Sequence, residues 1–432
     1  MLVQNDFQSI DDLRFVAEKC PRCSLCKFPP LVRVEHGRHS GCCPSYEELA
    51  VHAASGGGLM VAALSIADGR ARPTETLRRL AFSCTACGAC DVSCKYNSDI
   101  EVLEAILQLR ARLFQELGPA PAHRAVLDAI RDRGHPLPEA ATARDAWLED
   151  LGLSVSRDGG DYLLWVGPHY ALERRHRATL RRALDLLCRA GVRFSTLGAD
   201  EPYAGRAALE IGDRQLFAEC SRRAATAIHR SRARAVLCLS AEDYATLRAQ
   251  TPRFAPVTKP VRHLVELYAD LLRRRKLKPR HPLGVTAGWH DSSYLGRLSE
   301  PWNYWSGEKR KVLGQMIVYE PNRRLRYGRN GCYDAPRAVL RALPGVQLRE
   351  FLRREEYAFD SGETGQTAAF APELALAAAR RRLAEAADAG IELVVTECPQ
   401  ARAALDRART SNGRGVAVCT LTELLSRSIE GE

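Results

Sequence analysis

The stretch Cys84-Thr85-Ala86-Cys87-Gly88-Ala89-Cys90-Asp91-Val92-Ser93-Cys94 decides the reading of this 432-residue chain. Its cysteines follow the spacing C-x2-C-x2-C-x3-C. Thiolates at this step let a tight loop wrap one face of an iron–sulfur cube, each sulfur meeting a different iron. Thr85, Ala86, Gly88 and Ala89 are small enough for the backbone to approach such a cube and turn N–H groups toward its sulfides. Those donors favour the reduced, more negative state and so tune its potential. Zinc motifs usually pair two C-x2-C knuckles and have no use for a third cysteine at the same step. The spacing points to iron–sulfur.

Toward the N-terminus, Cys20, Cys23 and Cys26 repeat the C-x2-C-x2-C step, but Pro30 stands where a fourth cysteine would complete the set. The next thiols are Cys42 and Cys43. In two-cluster ferredoxins the cysteine before proline ligates the other cluster. By that rule Cys20, Cys23 and Cys26 take Cys94, while Cys84, Cys87 and Cys90 take Cys43. Cys43 is preferred to Cys42 because Pro44 follows it directly. Nine of the 15 cysteines lie between Cys20 and Cys94. Disulfide scaffolds belong to small secreted domains, which this chain is not, so the clustering argues for metal.

Composition sets the remaining bounds. Apolar residues at 46% and charged residues at 27% describe an ordinary globular chain, of about three domains by length. No apolar run approaches the roughly 18 residues of a membrane span. The opening MLVQNDFQSIDDLRF carries acidic residues and no apolar core of an export signal. The expected compartment is therefore the cytoplasm. Net charge is +11, yet only eight of the 63 basic residues are lysine, and the arginines mix with acids on helical faces. Such a surface is usually solvated, so nucleic acid is not an expected partner.

Around the cysteines the sequence is helical. Ser45 with Glu48 reads as a capping box, Gly56-Gly57-Gly58 as a break, and IEVLEAILQLRARLFQELG (100–118) as a helix ending at Gly118. Residues 1–120 thus read as an α-helical two-cluster ferredoxin domain, and the Pro- and Gly-marked stretch 121–160 as a linker. Beyond it, strands and helices alternate twice in the same order. YLLWVG, VRFSTLG and AVLCLS are strands of a first unit (161–275); LGVTAGWHD, VQLREFL and IELVVTEC are strands of a second (276–432). The expected fold is the helical ferredoxin followed by a tandem pair of α/β modules with parallel-sheet character.

Both cysteine triplets, HDSSYLGR (290–297), YDAPRAVLRALPG (333–345) and VVTECPQARAAL (394–405) resemble iron–sulfur oxidoreductase subunits over nearly the full length. That family includes the D subunit of heterodisulfide reductase, the C subunit of anaerobic glycerol-3-phosphate dehydrogenase and the iron–sulfur subunit of glycolate oxidase. The resemblance implies two [4Fe-4S] clusters followed by two cysteine-rich "CCG" modules. It also implies an electron-transfer subunit of an oxidoreductase complex rather than a self-sufficient enzyme. The implied partner is a flavoprotein dehydrogenase or an electron-transfer flavoprotein subunit, and the acceptor a quinone or ferredoxin. Any membrane association would come through a membrane or quinone-reactive partner subunit.

The departures from the family matter equally. In the first module the turn reads Pro202-Tyr203-Ala204-Gly205 and the late pair Ser240 and Asp243. In the second, the early position is Ser293, the turn Asp360-Ser361-Gly362 and the late pair Cys398 and Ala401. Serine and alanine cannot replace several soft thiolates on iron, so a noncubane cluster is not expected in these modules. The alternative function is catalysis or ligand binding at the remnant formed by Asp360, Ser361, Ser293 and Cys398. Lys95 also stands where the family has proline.

An insertion near 298–331 carries Trp302, Tyr304, Trp305, Tyr319 and Tyr327 among basic residues. Partner docking and local packing fit it equally well. His290 and Asp291, at a strand end, read as buried structural polar groups. The isolated Cys188, Cys220, Cys238, Cys332 and Cys419 read as small core residues. No G-x-G-x-x-G follows a strand, so a dinucleotide fingerprint is missing.

Overall fold

The computed structural model describes residues 18, 20–30, 37–96, 98, 100–139, 145–150, 159–302, 306–313, 316–322, 325–412 and 415–431. The N-terminal reading of residues 1–15, and Tyr304 and Trp305, lie outside the described residues.

The cysteine-rich part is helical: α1 (Pro44–Leu49), α2 (Gly56–Ala67), α3 (Glu75–Ser83), α4 (Ala89–Lys95) and α5 (Val102–Leu117). The apolar repeat of α5 buries Val102, Ile106, Leu109 and Leu113 against Leu59, Ala63 and Leu64 of α2. Gly118 ends α5 at φ 71°, a conformation open mainly to glycine. The glycine triplet proves to be the first turn of α2 and not a break. Ser55 caps it by accepting the Gly58 N–H at 3.3 Å. A Cβ at Gly56 would come within 2.9 Å of the Cys90 Cβ, so the glycines bring this helix end against the thiols.

Ser45 is likewise not an N-cap. Pro44, with its preset φ, occupies the first helical position, which moves the cap back to Cys43. Ser45 instead donates to the Ser83 carbonyl at 2.9 Å, tying α1 to α3. The stretch expected as linker opens with a helix, α6 (Pro121–Arg133). It starts on Pro121, buries Leu127 and Ile130 and stops at Gly134 in the left-handed region.

Two parallel four-stranded sheets follow. The first comprises β1 (Tyr162–Trp165), β2 (Phe194–Thr196), β3 (Ala235–Cys238) and β4 (Val261–His263), in the order β2-β1-β3-β4. The second comprises β5 (Val285–Trp289), β8 (Val346–Leu348), β9 (Leu393–Thr396) and β10 (Ala417–Thr420), in the order β8-β5-β9-β10. Counted within its own unit, each sheet runs second, first, third, fourth. The last strand of each also leads straight into a helix through a capping box, His263 with Glu266 in one and Thr420 with Glu423 in the other. β9 is buried at all four residues, the mark of a strand covered on both faces.

Between β5 and β8 the insertion forms an antiparallel hairpin of β6 (Glu308–Val312) and β7 (Met316–Glu320). Trp302 lies between the guanidinium groups of Arg253 and Arg326, at 4.4 and 4.1 Å, so this part of the insertion is internal packing. One apolar core joins both sheets and reaches Ala86, Leu103 and Leu107 of the helical part. Among the described residues no helix is long and apolar enough to cross a membrane.

Candidate metal centre

The fold gathers the cysteines of the N-terminal part around the starts of α2 and α4. Cys26 carries the electrostatic influence of Cys20 and Cys23, and Cys94 that of Cys20. Cys43 carries that of Cys84 and Cys87, and Cys90 that of Cys84 and Cys87 too. The two groups adjoin, since Cys26 also acts electrostatically on Cys90. Cys42 lies between them: its thiol is 3.5 Å from the Cys26 carbonyl and 3.8 Å from Ser93 Oγ.

Burial differs between the loops. Cys23 is exposed, Cys20 half-buried and Cys26 buried, whereas Cys43, Cys84 and Cys87 are buried and Cys90 half-buried. Burial, followed by the neighbouring Cys84 and Cys42 thiols, pushes Cys43 well up. Burial likewise pushes Cys42 and Cys94 up to about 12. Thiols so placed hold their protons until a metal displaces them, and each thiolate then gains a strong partner.

Backbone donors already point at the sulfurs. Gly57 N–H reaches Cys26 Sγ at 3.1 Å and Ala86 N–H reaches Cys84 Sγ at 3.3 Å. A Cβ on Gly57 would sit 3.2 Å from Cys26 Sγ. Arg22, Ser24 and Ala86 adopt φ of 57°, 66° and 50°, the left-handed turns that such a tight loop requires. Among the described residues no three His, Cys, Asp or Glu side chains converge closely enough for one metal ion. Soft donors and N–H groups on sulfur suit an iron–sulfur cube.

The second loop is gripped from outside. Arg110 of α5, wholly buried, bonds the Ala81 and Cys84 carbonyls and also those of Glu210 (2.9 Å) and Gly365 (3.0 Å). Arg297 Nε donates to the Cys87 carbonyl at 2.6 Å. Thr364 Oγ1 lies 2.5 Å from the Thr85 carbonyl, and Thr367 Oγ1 donates to that of Cys84 at 3.2 Å. None of these four residues carried a signal of this role in the sequence.

The structure brings the remnant residues of the second α/β unit together, and closes them. Ser293 Oγ donates to Asp360 at 2.6 Å and accepts from Arg297 at 2.8 Å. Ser361 Oγ donates to Glu363 at 2.7 Å, and Ser293 N–H reaches the same carboxylate at 3.3 Å. Cys398 donates to Gln400 at 3.4 Å and lies within the influence of Glu363, the residue at the centre that sequence reading missed. Burial, then Glu363, raises Asp360 to about 8.

His290 and Asp291 are buried and hydrogen-bonded. His290 accepts from Arg382 at 3.0 Å, and Asp291 takes a two-point bond from Arg337 at 2.8 Å. Both degenerate turns border a cavity of about 230 Å³, which Tyr203, Glu242, Glu363 and Gln400 help to line. Cys220, Cys238, Cys332 and Cys419 are buried, whereas Cys188 is exposed. Lys95 is buried on Glu101, a partner that the usual proline could not engage.

The cysteine arrangement, set in front of two matching sheets, can be compared with known proteins. No family model matches the sequence. FadF of Bacillus subtilis, named a probable iron–sulfur-binding oxidoreductase, is 27% identical over 295 residues, 66% of this chain and 37% of its own. The D subunit of heterodisulfide reductase from Methanosarcina barkeri is 24% identical over 355 residues, 80% of this chain and 77% of its own. The chain is similar to these iron–sulfur oxidoreductase subunits. The EtfAB:quinone oxidoreductase of Syntrophomonas wolfei is similar too, 26% identical over 292 residues, 66% of this chain and 36% of its own. The chain thus spans little more than a third of the length of two of these relatives. Another relative is named a probable membrane-anchored ferredoxin.

Proposed function

We propose that the chain relays electrons through two [4Fe-4S] clusters within an oxidoreductase complex. Cys20, Cys23, Cys26 and Cys94 would hold one cluster, and Cys43, Cys84, Cys87 and Cys90 the other. The electron donor is a flavoprotein dehydrogenase or electron-transfer flavoprotein subunit, and the acceptor a quinone or ferredoxin. A membrane or quinone-reactive subunit would account for any membrane association. In domain terms, residues 1–120 carry the clusters, and the units at 161–275 and 276–432 form a scaffold around them.

The observation that carries this reading is the pairing across the sequence. Cys20 is among the groups that act electrostatically on Cys94, and Cys84 and Cys87 are among those that act on Cys43, which supports the exchange that the two-cluster rule asks for. When bound, each cube supplies a reversible one-electron couple. The chain's residues contribute thiolates, N–H donors to sulfur and exclusion of water from the inner loop. Catalysis at Ser293, Asp360, Ser361 and Cys398 is disfavoured. Each is at most 1% exposed, and their polar atoms are bonded to one another or to Glu363, Arg297 and Gln400.

Iron and sulfide analysis of anaerobically purified protein tests the proposal. About eight of each per chain is expected. Cys94→Ala should abolish the same spectroscopic signal as Cys23→Ala, and Cys43→Ala the other. Loss of the Cys84 signal in Cys94→Ala would defeat the crossed assignment.

A further inference from the structure

The cysteine-depleted site of the second α/β unit lies directly behind the buried cysteine loop. Its parts form a continuous chain. Asp360 accepts from Ser293, Ser293 accepts from Arg297, and Arg297 donates to the Cys87 carbonyl. Thr364 joins the same Asp360 carboxyl, at 3.0 Å, to the Thr85 carbonyl. Two more Arg297 bonds, to the Ala358 and Glu356 carbonyls at 2.7 and 3.3 Å, fix its guanidinium. Arg110 reaches the loop from the other side through Cys84. The two arginines are 4% and 0% exposed, so neither charge is lost to solvent.

Position explains why charge is needed here. A cluster that accepts an electron gains a negative charge, and water around the exposed Cys23 can meet that charge in the first group. Around Cys43, Cys84 and Cys87 water is excluded, and an unmatched charge in such surroundings costs several kcal/mol. A fixed cation at hydrogen-bond distance from the ligand backbone offsets that cost. Arg206 and Glu210 nearby pair with each other at 2.7 Å and leave Arg110 as the excess charge.

We propose that the second unit's former cysteine site has become a clamp for the inner cluster. In it, Ser293, Asp360 and Thr364 position Arg297 and the Cys84–Gly88 loop. Arg297 and Arg110 supply the counter-charge that keeps that cluster reducible. The step is one electron gained, with no bond formed or broken and no proton moved. This rests on the two-cluster reading.

Redox titration of the full chain under dinitrogen, followed by electron paramagnetic resonance, tests it with dithionite as reductant. Arg297→Gln should lower one midpoint, the one that Cys43→Ala abolishes. The expected change is at least tenfold in the reduction equilibrium, or about 59 mV for one electron. The other midpoint should stay in place, and Arg297→Lys should restore most of the loss. Should Arg297→Gln purify without iron, Ser293→Ala decides, because it leaves the arginine and removes only the hydroxyl that aims it. A smaller downward move of the same midpoint is expected. Two clusters whose midpoints ignore these changes would overturn the clamp alone. A chain with fewer than two clusters would overturn the cluster reading and the clamp with it.

Discussion

Two loops with the same C-x2-C-x2-C step meet different surroundings in this molecule, although Cys26 of the first is buried and Cys90 of the second is half-buried. The loop at Cys20–Cys26 has Pro21, Arg22 and Cys23 in solvent. The loop at Cys84–Cys90 is enclosed by α5, by Arg297 and by the turn Asp360–Thr367. The difference teaches that spacing chooses the kind of ligand set, while distant residues choose its electrostatic setting. An outer group suits exchange with a partner, and an inner group suits onward transfer within a fixed environment.

Breaking a ligand in each loop gives the largest expected contrast. Cys23→Ala and Cys87→Ala should each halve the iron, yet only Cys87→Ala should also lower the thermal midpoint of the protein, because the inner loop is part of the shared core. Equal thermal losses would erase the distinction. Next comes Arg110→Met, which leaves the Ala81, Cys84, Glu210 and Gly365 carbonyls without their buried donor. Anaerobic denaturant unfolding should show a loss of about 3 kcal/mol or more. Arg22→Ala in the outer loop should change stability by about 0.5 kcal/mol or less.

A pH series sharpens the comparison further. Asp360 is raised in the folded protein to about 8, above its usual range near 4. Its contribution to stability is therefore full at acid pH and declines as pH rises from about 4 through 8. Asp360→Asn should flatten that decline by up to about 1.4 kcal/mol per pH unit in unfolding free energy. An unchanged slope would show that the acid ionises freely. The smallest effect is expected for Cys42→Ser. This thiol sits between the groups but lies outside both proposed ligand sets, so iron content should hold; loss of a cluster would make Cys42 a ligand in place of Cys43.

Much of this was legible beforehand. The cysteine steps, the strands β1, β2, β3, β5, β8 and β9 and the repeated order of two units follow from local spacing and apolar runs. Local patterns also misled. Ser45 and Glu48 make a plausible capping box, but the fixed φ of Pro44 takes the first helical position. Gly56-Gly57-Gly58 suggests a break, yet small residues are what let α2 press against Cys26 and Cys90. The helix α6 was hidden by prolines that in fact serve to start it. Arg110, Arg297, Thr364 and Glu363 had no signature, since their roles arise from contacts spanning as many as 279 residues.

The most direct test is the spin count of the dithionite-reduced protein by electron paramagnetic resonance under strict exclusion of oxygen. Two neighbouring [4Fe-4S] clusters predict about two spins per chain, with splitting from their mutual interaction. A single unsplit centre, or a silent protein with zinc in place of iron, would contradict the account.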